Sequence, residues 1–360
     1  MFKCGYLSHG LYVSFGLDGN VLPCCFTSKL DSNLKREPTD DLLNGPLVKS
    51  FRQTAIKGDI PDICTDCVKL EKLTGRGPRL ENIYFNDTTV KEIIAEEDVR
   101  YLQIRLSNVC NFKCTICSSS YSHLIGKENG EKNPLNVIED SVLTDLKQRL
   151  PKMINLKFVI FGGGEPFYNS NGLIELLDYI PKTATVAAHT NGSVFNKPLL
   201  NKLSEFKTAV LTFSLDGTDR FFNYQRSNGN WNDVKKNIRK IQKFYPKIRM
   251  HCDHTVTCVT LPNLREFLRQ TTPLFTKVKT HFIKYPQYYQ INLIKEEVLN
   301  HIKNQIKDEV IRKNINEAIN NPPSDETIKE FWNYTDYLAR NRTNIYDYIP
   351  EIKDYIRCVN

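Results

Sequence analysis

No stretch of this sequence approaches the ~18 uninterrupted apolar residues that a membrane span needs, so no membrane association is expected. The opening, MFKCGYLSHGLYVSFGLDGN, is mildly apolar but broken by Ser8, His9, Gly10 and Ser14. It lacks the continuous apolar segment of a secretory signal, and the expected compartment is the cytoplasm. Internal repeats and low-complexity tracts are absent too, which sets repeat architectures aside. Nor does charge of one sign dominate. The net charge of +8 is scattered, and its densest run is VKKNIRKIQKFYPKIR at 234–249. There Val234, Ile238 and Ile241 fall at i, i+4 and i+7, which turns the lysines outward. We read a solvated helix face, not a nucleic-acid site.

What the sequence does have in quantity is cysteine, eleven in 360 residues, at 4, 24, 25, 64, 67, 110, 114, 117, 252, 258 and 358. Eight of them fall in the first 117 residues in tight groups. In a reducing compartment such grouping argues for metal and against disulfides. The rest of the composition, 40% hydrophobic and 25% charged, is that of a soluble globular protein with room for two or three domains.

From about residue 100 strands and helices alternate. Strands are expected at 99–107, 156–166 (ending in a glycine turn), 183–192, 208–217 (ending in a polar turn), 248–259 and 277–285, with helical segments between them. Six βα units imply a parallel sheet with right-handed crossovers. They are fewer than the eight that close a barrel, so the expected fold class is α/β, a partial (βα)6 TIM-like barrel. Ligands of such sheets gather at the C-terminal ends of strands. Before this core, GLYVSFGLDGNVLPCCF carries a hairpin signal around Leu17-Asp18-Gly19-Asn20. After it, 291–360 reads as a polar, largely helical extension in which Ser324 could cap a helix.

The loop LSNVCNFKCTICSSS at 106–120 places Cys110, Cys114 and Cys117 within eight positions. Four thiolates would close a tetrahedral metal site, whereas three leave one position open. Three can bind three irons of a 4Fe–4S cube and leave the fourth iron free. Taken alone, the loop also admits a Cys3His zinc site completed by His123. One βα unit later, Gly162-Gly163-Gly164-Glu165-Pro166 ends a strand. Its glycines let backbone approach a ligand closely, and a free backbone edge beside Glu165 suits an ammonium group.

Together these motifs resemble the radical S-adenosylmethionine (radical SAM) superfamily, whose members carry a first-strand C-x3-C-x2-C loop and a second-strand Gly-Gly-Glu-Pro motif. The resemblance implies that S-adenosylmethionine chelates the open iron of a 4Fe–4S cluster. Its reductive cleavage then gives a 5′-deoxyadenosyl radical that abstracts a substrate hydrogen. The implied SAM contacts are Gly163, Gly164, Glu165, Asn191, Ser214 and Arg226. Asp216 is expected merely to fix the turn Ser214-Leu215-Asp216-Gly217. The residue before the third cysteine is commonly aromatic in this family; here it is Ile116.

Cys24, Cys25, Cys64 and Cys67, with Cys4, lie in a segment that resembles the twitch or SPASM-type auxiliary-cluster module. It precedes the barrel here, as in a group that includes many phage-encoded proteins. The expected ligands of a second 4Fe–4S cluster are Cys4, Cys24, Cys64 and Cys67, with Cys25 the alternative and structural zinc the bland reading. The expected domains are 1–99 (auxiliary cluster), 100–290 (partial barrel) and 291–360 (helical extension). The resemblance further implies a peptide or protein substrate and an electron donor such as flavodoxin or ferredoxin. Cys252, His254 and Cys258 are expected to be core residues sharing one strand face. Lys284, Tyr285 and the neighbouring tyrosines are expected to help wall the substrate site. The alternative to an enzyme is a non-catalytic zinc- or iron–sulfur-binding scaffold with a degenerate barrel.

Overall fold

The computed structural model describes residues 4–14, 20–24, 32–33, 45–74, 79 and 96–359. Its strands are β1 (Gly10–Ser14), β2 (Asn20–Leu22), β3 (Ser32–Asn33), β4 (Tyr101–Arg105), β5 (Lys113–Cys114), β6 (Phe158–Gly162), β7 (Thr185–Thr190), β8 (Thr208–Ser214), β9 (Arg226–Ser227), β10 (Arg249–Val256) and β11 (Lys277–Phe282). β4, β6, β7, β8, β10 and β11 alternate with helices, the α/β succession of a partial (βα)6 barrel. The chain divides into two compact units. One comprises Met1–Val109, Leu135–His189 and Asn196–Val210, the other Cys110–Pro134, Thr190–Phe195 and Leu211–Asn360.

In the first unit the strand order is β3-β2-β1-β4-β6-β7. The expected hairpin is present, β1 pairing antiparallel with β2 through Tyr12↔Leu22; Leu17, Asp18 and Gly19 of its turn lie outside the described residues. The other edge of β1 runs parallel to β4, in register from Gly10↔Tyr101 to Ser14↔Arg105. The sequence reading missed this pairing because all five residues of β1 are buried, and a short apolar run does not name its neighbour. β4 continues parallel to β6, and β6 to β7. On β6 burial alternates, with Val159 and Phe161 fully enclosed and Phe158 and Ile160 half-buried. The helix Asp140–Arg149 buries Val142 and Leu146, the face expected from their i, i+4 spacing.

In the second unit β10 lies between β8 and β11, and β10 and β11 are parallel from His251↔Lys277 to Val256↔Phe282. Met250, Cys252, His254 and Val256 share the buried face of β10. Cys258 is buried as expected, but it follows the end of the strand and so does not share that face. The helix Trp231–Phe244 buries Val234, Ile238 and Ile241, and Lys236, Arg239 and Lys243 are exposed.

The extension 291–360 departs from its polar appearance. Ile291, Leu293, Leu299, Ile315, Phe331, Leu338, Ile345 and Ile352 form one buried cluster with Tyr224, Val259, Leu264 and Tyr289. Its helices are amphipathic, so charged outer faces dominate the composition and hide the apolar stripe. Fully burying each such side chain is worth about 1.5–3 kcal/mol. Ser324 accepts from the Thr327 N–H and caps the helix Asp325–Asn341. Tyr289 belongs to this core rather than to a substrate wall, while Tyr285 is exposed. Among the described residues no helix is long and apolar enough to cross a membrane.

Candidate functional site

The cysteine loop is held at nearly every residue. The Cys110 N–H donates to His123 Nδ1 at 3.3 Å, so His123 supports the loop's backbone. Ser122 Oγ donates to the Phe112 carbonyl at 2.7 Å. β5, which contains Cys114, pairs antiparallel with β9, setting Cys114 opposite Arg226. The Thr115 N–H bonds the Gln225 carbonyl, and the Cys117 N–H bonds Cys114. Ile116 packs against the apolar cluster of the extension. Cys110 is buried, and Cys114 and Cys117 are half-buried.

Arg226 reaches this loop with its side chain as well. Its Nη2 pairs with Asp216 Oδ2 at 2.8 Å, and its Nη1 is 3.9 Å from the Cys114 sulfur. Asp216 Oδ1 also accepts from the Thr255 N–H at 3.1 Å. Asp216 therefore does more than fix its turn: it aims a buried guanidinium at the thiols. Burial pushes the Cys114 thiol up and that of Cys117 as well, the Arg226 charge opposing the rise in both. Such thiols stay neutral until a metal binds the sulfur and displaces the proton to solvent. Asn191 Nδ2 donates to Asn111 Oδ1 at 3.0 Å, and its own Oδ1 accepts from Ser193. The third strand's end is thereby tied to the residue after Cys110. Ser214 is half-buried at the end of β8. Asn111 escaped the sequence reading, although its position beside the first cysteine is a local signal.

In the first unit, the Gly-Gly-Glu turn is packed against the backbone that leads to Cys110. The Gly164 N–H donates to the Ser107 carbonyl at 2.8 Å, and the Glu165 N–H to that of Val109 at 2.7 Å. Gly163 has φ +118, and a Cβ there would stand 2.5 Å from the Ser107 oxygen. At Gly164 it would stand 2.2 Å from the Val109 oxygen. These glycines serve a backbone–backbone approach, and the Gly164 and Glu165 N–H groups are taken by it. Acceptors are what such a turn still offers, and acceptors are what an ammonium needs. Glu165 is 2% exposed, and its Oε1 accepts from the Phe167 N–H at 3.0 Å.

The N-terminal thiols are also grouped. Cys4 precedes the helix Gly5–His9, Cys64 ends the turn Asp62–Cys64, and Cys67 lies in the first turn of the helix Thr65–Thr74. Cys4 and Cys64 share an apolar cluster with Leu7, Phe51, Ala55 and Val68. Burial, with repulsion from Cys4 and Cys67, pushes Cys64 up to about 12; burial, with the Glu71 charge, pushes Cys67 up to about 11, and burial also raises Cys4. Cys67 donates to Glu71 Oε1 at 3.7 Å, and Glu71 pairs with Arg79. Cys24 is described and half-buried; Cys25 lies outside the described residues. Among the described residues no three His, Cys, Asp or Glu side chains converge closely enough to hold one metal ion. An iron–sulfur cube sets its ligand thiols on separate irons, and three thiols with one position open are the donor set of a cube that leaves one iron free.

The sequence model of the radical SAM superfamily matches residues 104–268, which include the three-cysteine loop, the glycine turn, Ser214 and Arg226. The chain carries a radical SAM domain. A second model, the SPASM iron-sulfur cluster-binding domain, matches residues 4–68. The cofactors of these two domains are a 4Fe–4S cluster with S-adenosylmethionine and an auxiliary iron–sulfur cluster. The radical SAM cyclopropyl synthase TigE of Paramaledivibacter caminithermalis is 24% identical over 42% of this chain and 34% of its own. The GTP 3′,8-cyclase of Syntrophomonas wolfei is 28% identical over 40% of this chain and 43% of its own. The chain spans less than half the length of either curated relative. The structure of anSMEcpe with bound AdoMet and Cp18Cys peptide aligns over 70% of this chain and 65% of that one, at 17% identity and a TM-score of 0.40.

Proposed function

We propose that the protein uses S-adenosylmethionine to abstract a hydrogen atom from a peptide or protein substrate. Cys110, Cys114 and Cys117 would hold three irons of a 4Fe–4S cluster. Cys4, Cys24, Cys64 and Cys67 would hold the auxiliary cluster. When bound and reduced by a donor such as flavodoxin or ferredoxin, the first cluster and S-adenosylmethionine supply a 5′-deoxyadenosyl radical. Gly163, Gly164 and Glu165 present acceptors for the methionine ammonium, and Asn191 and Ser214 orient the nucleoside. Arg226, steered by Asp216, meets the carboxylate and offsets the thiolates' negative charge. The functional division is 1–99 for the auxiliary cluster, 100–290 for the radical chemistry and 291–360 for support.

One observation carries this reading: three thiols lie on one fixed loop, with a buried guanidinium 3.9 Å from the middle one. The peptide assignment rests on the auxiliary domain standing beside the radical SAM domain. Anaerobic protein reduced with dithionite in the presence of S-adenosylmethionine should release 5′-deoxyadenosine and methionine, and Cys114→Ala should not. Wild-type protein that releases neither would sink the reading and leave the scaffold. Fractionating an extract of the producing cell by mass tests the substrate. Stimulation of 5′-deoxyadenosine release by small metabolites alone would remove the peptide.

A further inference from the structure

The C-terminal extension reaches back to the cysteine loop across more than 200 positions of sequence. Arg342, one residue past the helix Asp325–Asn341, has a side chain only 2% exposed. Its Nη1 donates to the carbonyls of Lys113 at 3.2 Å and Cys114 at 3.3 Å. Tyr334, on the same helix, donates to the next carbonyl, that of Thr115, at 2.9 Å. Three successive carbonyls between the first and third cysteines are thus held by two side chains of the extension. Arg342 is itself fixed by Glu128, whose Oε1 accepts from its Nε at 2.6 Å and from Tyr337 Oη at 2.9 Å. Glu128 Oε2 pairs with Lys113 Nζ at 2.8 Å, closing the circuit on the loop.

A fastening for the extension alone needs none of this. The buried apolar cluster already holds these helices, and desolvated ion pairs are often no more stable than apolar residues of the same size. What the charges add is a fixed direction at a defined backbone segment, plus one net positive charge among Lys113, Arg342 and Glu128.

We propose that Arg342, oriented by Glu128, is a positioning residue for the cluster loop: it fixes the backbone between Cys110 and Cys117 and raises the potential of the cluster held there. The loop's part follows from the geometry alone; the cluster's part rests on the function proposed above. A cluster's potential responds to nearby charge and to the order of its surroundings.

Two measurements on Arg342→Gln separate these parts. In metal-free protein, the Thr115 and Cys117 amides should exchange with deuterium at least tenfold faster than in wild type, since charge-assisted hydrogen bonds are lost. The β7 amides should not change. In reconstituted protein, the reduced cluster should give a broader EPR spectrum and a more negative midpoint potential, and Arg342→Lys should recover the potential in part. Ile315→Ala, which opens the apolar cluster away from the clamp, should lower the melting temperature without either effect. If Arg342→Gln lowers the melting temperature but leaves exchange at 113–117 and the potential as in wild type, the proposal is overturned and Arg342 only fastens the extension. A wild-type protein that takes up no cluster at Cys110, Cys114 and Cys117 overturns the function beneath it instead. The exchange arm then still decides the clamp.

Discussion

Gly164→Ala should damage the fold more than any other single methyl added to the glycine turn. The new Cβ would lie 2.2 Å from the Val109 oxygen and 2.5 Å from its carbonyl carbon, both backbone atoms that no side-chain rotation can clear. The turn must therefore withdraw from residues 107–109. That breaks the Gly164–Ser107 and Glu165–Val109 hydrogen bonds of 2.8 and 2.7 Å. Each is worth about 0.5–1.5 kcal/mol, and leaving its partners buried and unsatisfied costs more. The expected loss is about 2–4 kcal/mol, in the range of the severe single substitutions. Urea unfolding of the metal-free, reduced protein reads it as a lower midpoint with an unchanged slope. Gly172→Ala is the control. Its Cβ would meet only methyl groups of Leu106 and Leu143 at 3.5 and 3.6 Å, inside the helix Asn171–Leu177. There alanine should gain up to about 1 kcal/mol. Equal midpoints for Gly164→Ala and wild type would refute the close-approach argument.

Three further outcomes are expected. Burial, with the charges of Arg226 and His281 adding, pushes His254 down to about 3. The neutral ring's contribution is therefore complete above pH 6.5 and is lost as pH falls; the loss reaches about 2 kcal/mol by pH 5, and unfolding titrations should show it shrink in His254→Leu. Asp216→Asn leaves the Arg226 charge buried without its carboxylate and should cost about 3–5 kcal/mol in metal-free protein. Replacing both residues by apolar ones should recover most of that, as a double-mutant cycle would show. Phe331→Ala empties a fully buried site in the extension and should cost about 3–5 kcal/mol; a loss below 1 kcal/mol would mean that 291–360 is not part of the unit's core.

The barrel strands were legible as short segments bounded by polar or glycine turns, apolar in β6 (FVIFG) and β7 (TVAAHT) and alternating in β10 (RMHCDHTV). β6, for example, is Phe158–Gly162 within an expected 156–166 that includes the glycine turn. The cysteine loop was legible because its three cysteines lie within eight positions. What could not be read is what depends on distant residues. The parallel edge between β1 and β4 joins segments about 90 residues apart. Glu128 and Arg342 are separated by 214 positions and carry no pattern that points from one to the other. The extension looked polar because its outward residues outnumber the isoleucines and leucines that form its core. At the glycine turn the residue types were right and the reason was incomplete: the space they leave is filled first by backbone.

The central claim is that this chain holds two iron–sulfur clusters, one per thiol group. It is tested most directly by counting iron, sulfide and zinc in protein purified without oxygen, alongside a variant with Cys110, Cys114 and Cys117 all replaced by alanine. The account expects about eight irons in the wild type and about four in the variant. About four irons in both would put the only cluster in the N-terminal domain, and zinc in place of iron after anaerobic reconstitution would contradict the radical chemistry altogether.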